Sequence, residues 1–338
     1  MKRFYFVCLF LLCLKSNARD TLSLLSTQIE TNPAALAQHL TAGHTKERDK
    51  VRAIFHWITD NISYNTIIFQ KRSRYQPRSK FLDEQEDTSM VLKPLDERVA
   101  EGVLKRRVAV CDGYSRLFKT LCDYAGIKSV IIYGYARSYS NRVGTRFSSN
   151  HTWNAVLIDN KWELLDATWA SGYINFNDDF VKSYNDNYFL TPPQQFIQDH
   201  YPESIEWALL SKPPTLAEFR NSPFKNQSFV KHGIKSYMPS TGIIEAKIGD
   251  TIRIEIVADS KEKNLLLSAH PFIEPGLLSL INPFLMFSSF SHYNDKKTTG
   301  HYILQTPLEW LYVIWNGETI LRYKVKLYDP IPAANPPN

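Results

Sequence analysis

Val110-Cys111-Asp112-Gly113-Tyr114-Ser115-Arg116-Leu117-Phe118-Lys119-Thr120-Leu121-Cys122-Asp123-Tyr124-Ala125-Gly126 sets Tyr114, Leu117, Phe118, Leu121, Cys122 and Ala125 at helical spacing and ends on a glycine suited to a C-terminal stop. Cys111 therefore opens a helix. The first amides of a helix lack internal partners and, with the macrodipole, favour negative charge, so a thiolate there is stabilised and a developing oxyanion can be held. Cys122 lies on the same stripe, but about 16 Å further along the axis at about 1.5 Å per residue. A disulfide needs Cα atoms within about 7 Å, so a continuous helix excludes one between them. Cys122 reads as core and Cys111 as chemistry, with an inert buried thiol as the alternative for Cys111.

Asn150-His151-Thr152-Trp153-Asn154-Ala155-Val156-Leu157-Ile158, Asp159-Asn160, and Lys161-Trp162-Glu163-Leu164-Leu165-Asp166-Ala167-Thr168 read as two strands joined by a two-residue turn. That loop pairs Ile158 with Lys161, which puts Trp153 opposite Asp166 and His151 opposite Thr168. His151 and Asp166 become diagonal neighbours on one face, about 7–8 Å apart between backbones. A carboxylate at that range can hold one imidazole nitrogen while the other faces a thiol. Taken singly, His151 reads as a structural histidine and Asp166 as a strand-end carboxylate; their joint placement suggests a Cys111, His151, Asp166 triad.

A family resemblance rests on these residues. Val110-Cys111-Asp112-Gly113-Tyr114, the spacing of Leu117, Phe118 and Ala125 to Ile127, Tyr133-Gly134-Tyr135, His151-Thr152-Trp153-Asn154 and Leu165-Asp166-Ala167-Thr168-Trp169 resemble the transglutaminase-like superfamily, in particular its bacterial and kyphoscoliosis-peptidase-like branch. The upstream Phe55-His56-Trp57-Ile58-Thr59-Asp60-Asn61-Ile62-Ser63-Tyr64 is similar to the helix preceding that core. The resemblance covers roughly residues 46 to 210. It implies a papain-type triad of Cys111, His151 and Asp166 on helices packed against an antiparallel sheet. Three departures stand out: Asp112 follows the nucleophile where animal cross-linking enzymes have Trp, Asn65 replaces a common Asp, and Ala109 a common Gly. No calcium-binding loop is recognisable, which argues against protein cross-linking.

The chain has 338 residues, 43% of them hydrophobic, enough for two domains. Met1-Lys2-Arg3, the apolar run Phe4 to Leu14 and the small residues Ser16-Asn17-Ala18 predict a cleaved signal peptide at 1–18, hence an exported protein (periplasmic, secreted or cell-surface). Bulky Leu12 argues against a lipid anchor through Cys13. Cleavage removes Lys2, Arg3 and Lys15, lowering the formal charge from +6 to +3 and weakening any case for nucleic acid. Lys105-Arg106-Arg107 remains as a solvated helix end. Cleavage also removes Cys8 and Cys13, and an exported chain with no disulfide framework suits a reactive thiol.

The domains expected are a transglutaminase-like domain at 19–210, a linker at 211–226, a β-sandwich at 227–330 and a Pro-rich tail at 331–338. Val51, Ile54, Phe55 and Ile58 mark an amphipathic helix over Glu47–Asn61, and Asp96–Arg107 reads as another. Gln70–Asp87 and Ser138–Asn150 read as surface loops flanking a cleft. Gln194–Leu210 reads as a short helical cover. Alternating patterns predict strands at Ile243–Ile248, Thr251–Val257, Asn264–Ala269, Tyr302–Gln305, Glu309–Trp315 and Glu318–Leu327, with Asn316-Gly317 as a hairpin turn. The fold class is thus α+β: a papain/transglutaminase-like core followed by an all-β immunoglobulin-like sandwich.

No metal is expected, because His200, His232, His270, His292 and His301 show no ligand spacing, and no cofactor motif is present. The chemistry expected is acyl transfer from a peptide or glutamine-type amide through a thioester on Cys111, with hydrolysis preferred over cross-linking. Trp153, Trp169 and Asp112 are the expected substrate-side residues. Partners are a protein or peptide substrate and, through the C-terminal domain, a cell-envelope component, with no nucleic acid and no transmembrane segment after cleavage. The alternative is an inactive transglutaminase-like binding module for a cell-surface protein or glycan.

Overall fold

A computed structural model describes residues 30–67, 93–137, 149–175, 177–226, 228–259, 263–271 and 297–328, with the backbone of 289–293. The expected signal peptide, the Gln70–Asp87 loop, most of the Ser138–Asn150 loop and the Pro-rich tail lie outside the described residues. Two compact units emerge: Met1–Tyr133 with Asn150–Pro192, and Gly134–Ser149 with Pro193–Asn338.

The first unit is built around one helix. Helices α1 (Pro33–Thr41), α2 (Glu47–Asn61) and α3 (Leu95–Arg106) precede α4 (Cys111–Tyr124), and the two-residue strands β1 (Ser63–Tyr64) and β2 (Val108–Ala109) pair in parallel between them. Nine of the fourteen residues of α4 are buried, too many for a single amphipathic stripe, so neighbours cover it on several sides. Leu36 and Ala37 from α1, Val51, Ile54, Phe55 and Ile58 from α2, and Val103 and Leu104 from α3 join Leu117, Phe118 and Leu121 in one core. Full burial of each large aliphatic side chain stabilises the fold by about 1.5–3 kcal/mol. The Tyr114 hydroxyl donates to Ile62 O at 2.8 Å, fixing the rotation of α4 against the end of α2.

Behind α4 lie β3 (Ser129–Ala136) and the hairpin of β4 (His151–Ile158) and β5 (Lys161–Leu165). Asp159 and Asn160 both have positive φ, 48° and 61°, as a two-residue turn twisted to match its strands requires. The Ile158–Lys161 register is the one counted from sequence. The expected strand to Thr168 is corrected: β5 stops at Leu165, Asp166 becomes an N-cap, and Ala167–Ser171 forms helix α5. A small hairpin, β6 (Gly172–Ile174) and β7 (Phe180–Lys182), follows.

In the second unit the last three residues of β3 pair antiparallel with β8 (His200–Pro202). The Gln194–Leu210 segment is therefore not a continuous helical cover: helix α6 (Pro193–Phe196) and a 3-10 turn (Ile205–Ala208) flank that strand. Within Ser211–Asn226 lie helix α7 (Leu216–Asn221), closed by a Thr215–Glu218 capping box, and strand β9 (Phe224–Lys225). Helix α8 (Ser228–Lys231) then leads into two sheets. One orders β10 (Ile234–Met238), β12 (Thr251–Ala258), β15 (Thr298–Ile303) and β14 (Ser289–Tyr293); the other orders β11 (Ile243–Ala246), β17 (Glu318–Leu327), β16 (Trp310–Trp315) and β13 (Leu265–Ser268), with β9 also on β17. Ile252, Ile254 and Ile256 alternate inward from the first sheet and meet Leu267, Val313, Trp315 and Tyr323 from the second, giving an immunoglobulin-like sandwich with one core. Strands β10 and β14 were not anticipated from sequence, and the 302–305 strand begins earlier, at Thr298. No helix among the described residues is long and apolar enough to cross a membrane.

Gly113 permits the close approach of α3 and α4: a Cβ there would lie 2.8 Å from Ala109 Cβ and 3.1 Å from Val103 Cγ2. Gly113→Ala is expected to lower stability by about 1–2 kcal/mol through overpacking, despite the better helix propensity of alanine. Thermal melting checks this, and an unchanged or raised Tm would contradict it.

Candidate active site

Cys111 is the first residue of α4, and the helix hydrogen bonds begin at Gly113 N and Tyr114 N, both on Val110 O. The amides of Cys111 and Asp112 therefore stand at the positive end of the helix dipole. His151 is the first residue of β4, and Asp166 follows the last residue of β5. All three are buried. His151 Nε2 lies 2.7 Å from Asp166 Oδ2, which leaves Nδ1 for the hydrogen bond with the Cys111 thiol. The other carboxylate oxygen, Oδ1, accepts from Thr168 N at 2.8 Å and Trp169 N at 3.1 Å. One carboxylate thus caps α5 and orients the imidazole.

The electrostatics follow from that chain of contacts. Burial pushes the Cys111 thiol up, but the hydrogen bond and charge of His151, joined by the hydroxyl and main-chain N–H of Thr152, outweigh it and hold the pKa below the usual thiol range. Burial pulls the His151 pKa down, and the adjacent Asp166 carboxylate more than reverses this, so the imidazolium is favoured. Cys122, fully buried with no comparable partner, is pushed well above the thiol range. The two thiols of one helix are therefore chemically unlike.

The expected substrate-side residues fall in different environments. Trp153 is 1% exposed and packs on the His151 ring with centroids 6.2 Å apart. Trp169 is half-buried, 5.6 Å from His151 and edge-on to Tyr188, so of the two indoles it alone has surface to offer a substrate. Asp112 is engaged by Arg116 at 2.9 Å one turn on; Arg116 also pairs with Asp96 and donates to the Tyr133 hydroxyl at 3.2 Å. That guanidinium offsets a negative charge next to the thiol.

Thr152, Asn154 and Ser115 were not singled out from sequence. Ser115 Oγ donates to Thr152 Oγ1 at 3.3 Å, leaving the Thr152 proton for the sulfur. Asn154 Nδ2 donates to Ser115 O at 3.1 Å and Val130 O at 3.2 Å, tying α4, β3 and β4 together. The available signal was the polar pair Thr152 and Asn154, two residues apart in an otherwise apolar buried strand.

Residues 34–167, which include Cys111, His151 and Asp166, match the transglutaminase-like superfamily. This is a transglutaminase-like domain. The chain is 33% identical over 245 residues to human kyphoscoliosis peptidase, 71% of this chain and 33% of that protein, and 34% identical to the mouse kyphoscoliosis peptidase over 69% of this chain and 32% of that one. It is also 32% identical to hillarin of Drosophila melanogaster over 59% of this chain and 23% of that protein. The matched part thus spans about a third of the length of the two peptidases.

Iodoacetamide labelling of the transglutaminase-like domain is expected to modify Cys111 well before Cys122. The labelling rate should rise at a pH below the ordinary thiol range, because the thiolate forms above a lowered pKa. Asp166→Asn, which keeps the cap acceptor but loses the charge, and Thr152→Val should each move that rise upward, by about one pH unit or about 1.4 kcal/mol. A profile identical to wild type in both variants would contradict this account.

Proposed function

We propose that the chain is a cysteine-dependent acyl-transfer enzyme that hydrolyses peptide or glutamine-type amide bonds through a thioester on Cys111. The observation that carries this reading is the Cys111–His151–Asp166 chain, in which a thiol of lowered pKa at a helix N-terminus meets an imidazole held at 2.7 Å by a buried carboxylate. The Cys111 thiolate attacks the carbonyl carbon, and the Cys111 amide at the start of α4 offers a donor to the oxyanion. The carbon–nitrogen bond breaks, its electron pair goes to nitrogen, and His151 supplies the proton to the leaving amine. Water then attacks the thioester while His151 accepts its proton; the carbon–sulfur bond breaks, releasing the acid and returning the thiolate beside an imidazolium. An amine in place of water would give cross-linking. Hydrolysis is favoured by Asp112 in place of the Trp of cross-linking enzymes and by similarity to two relatives named as peptidases. Export is proposed from the positive and apolar residues of 1–18.

The ion pair is present between the lowered Cys111 pKa and the His151 pKa, raised to about 10, so activity should begin to rise at a pH below the ordinary thiol range, level off and fall in alkali as His151 loses its proton. On a panel of fluorogenic peptides and of glutamine substrates with a fluorescent amine, Cys111→Ala is expected to lower kcat by about a thousandfold or more. Product that carries water oxygen rather than the amine supports hydrolysis. Activity retained in Cys111→Ala would sink the mechanism. N-terminal sequencing of the mature exported protein should begin at Arg19, and a start at Met1 would contradict cleavage.

A further inference from the structure

The second unit contains a cleft of about 850 Å3, within the range of small-molecule sites. Its walls come from α6, α7, β9 and β10 and the proline-containing turn before α7, with Gln194, Gln198, Lys212, Asn221, Lys225 and Tyr237 among the polar residues facing it. None of these belongs to the Cys111 arrangement.

Lys225 is the unusual member. Its Nζ sits 5.4 Å from the ring centroids of both Phe229 and Tyr237, and among the described residues no carboxylate forms an ion pair with it. Arg137, the residue after β3 and in the same unit, is buried and already committed: it donates to Phe219 O at 2.6 Å, Ser222 Oγ at 3.0 Å and Ser222 O at 2.9 Å, and lies over the Phe224 ring. Arg322, on β17, also lies against these rings, 4.4 Å from the Phe224 centroid and 4.2 Å from that of Trp310. The one acid lining the cleft, Glu218, spends its carboxylate on the α7 cap, accepting from Thr215 N at 2.7 Å and Thr215 Oγ1 at 2.9 Å. The charges that act on Lys225 are thus Arg137 and Glu218, and Lys212 also lines the cleft. Positive charge is in excess in a partly desolvated recess.

We infer that this cleft is a binding site for a small organic oxyanion, a carboxylate or a phosphate ester, with Lys225 as its charge partner and the Gln194 side-chain amide and the Tyr237 hydroxyl as the hydrogen-bonding groups around it. Burial and Arg137 hold the Lys225 amine down to about 8, with Glu218 opposing them. An anion in the cleft would restore the ammonium form. Binding should therefore take up protons at pH 8.5 and weaken as pH rises above about 8.

The test uses the full chain. Acetylation by N-hydroxysuccinimidyl acetate at pH 7.5, read by peptide mass spectrometry, should modify Lys225 about tenfold faster than Lys212, because the Lys225 amine is held down to about 8. Succinate at 20 mM or glycerol 3-phosphate at 20 mM should slow Lys225 at least fivefold, and whichever protects identifies carboxylate or phosphate chemistry. Neutral succinamide and sodium chloride at matched ionic strength should not. Calorimetry with the protecting anion should show proton uptake at pH 8.5 that disappears in Lys225→Met. Equal reactivity of Lys225 and Lys212, protection by sodium chloride as strong as by the anions, or protection by neither anion would each overturn the proposal; these readings use the wild-type protein and do not depend on the variant folding.

Discussion

Both oxygens of Asp166 are occupied: Oδ1 by the amides of Thr168 and Trp169, Oδ2 by His151 Nε2. A carboxylate that is 1% exposed persists only when its charge and lone pairs are compensated, and here a helix start and an imidazole do this together. The constraint propagates outward. Asp166 must end β5 so that α5 can begin, the tight turn at Asp159-Asn160 must hold the register that delivers His151, and Asn154 must hold β4 to the helix that bears Cys111. Removing the carboxylate would disturb a helix cap, a tautomer and a thiol pKa in one step.

Much of this was legible because two periodicities and one turn type locate it. Helical spacing after Cys111 and a two-residue loop of Asp and Asn suffice to count His151 and Asp166 toward each other, and the structure brings these residues together with Cys111. What counting could not supply was the conformation of Asp166 itself. Leu164-Leu165 continues a strand pattern into Ala167-Thr168, and only the N-cap preference of Asp competes with it; two orphan helix amides decided the competition. Thr152 escaped notice because its contribution depends on a hydroxyl relay from Ser115, thirty-seven residues away in sequence.

The second unit shows the opposite balance. Its inner faces follow simple alternation, as in Ile252, Ile254 and Ile256, so the sandwich could be read ahead. The stretch before it could not, since prolines at 213, 214 and 223 punctuate it and suggest a connector. Its structure comes from long-range partners: β9 gains its ladder from β17, and Arg137 is satisfied by carbonyls of residues more than eighty positions later. Cations laid on Phe219, Phe224 and Trp310 fill space that aliphatic residues usually fill, using the stems as packing and the aromatic faces as counter-charge.

The single helix that carries both described thiols also sets how the protein meets oxidants. Cys111 is the electron-rich sulfur, and Cys122, eleven residues along the same rod, is sealed in the core. A sulfenic acid formed on Cys111 has no resolving thiol on its own helix, because about 16 Å of rigid backbone separates the pair. Its rescue therefore needs a thiol from outside that helix, and without one the oxidation of Cys111 proceeds toward sulfinic acid.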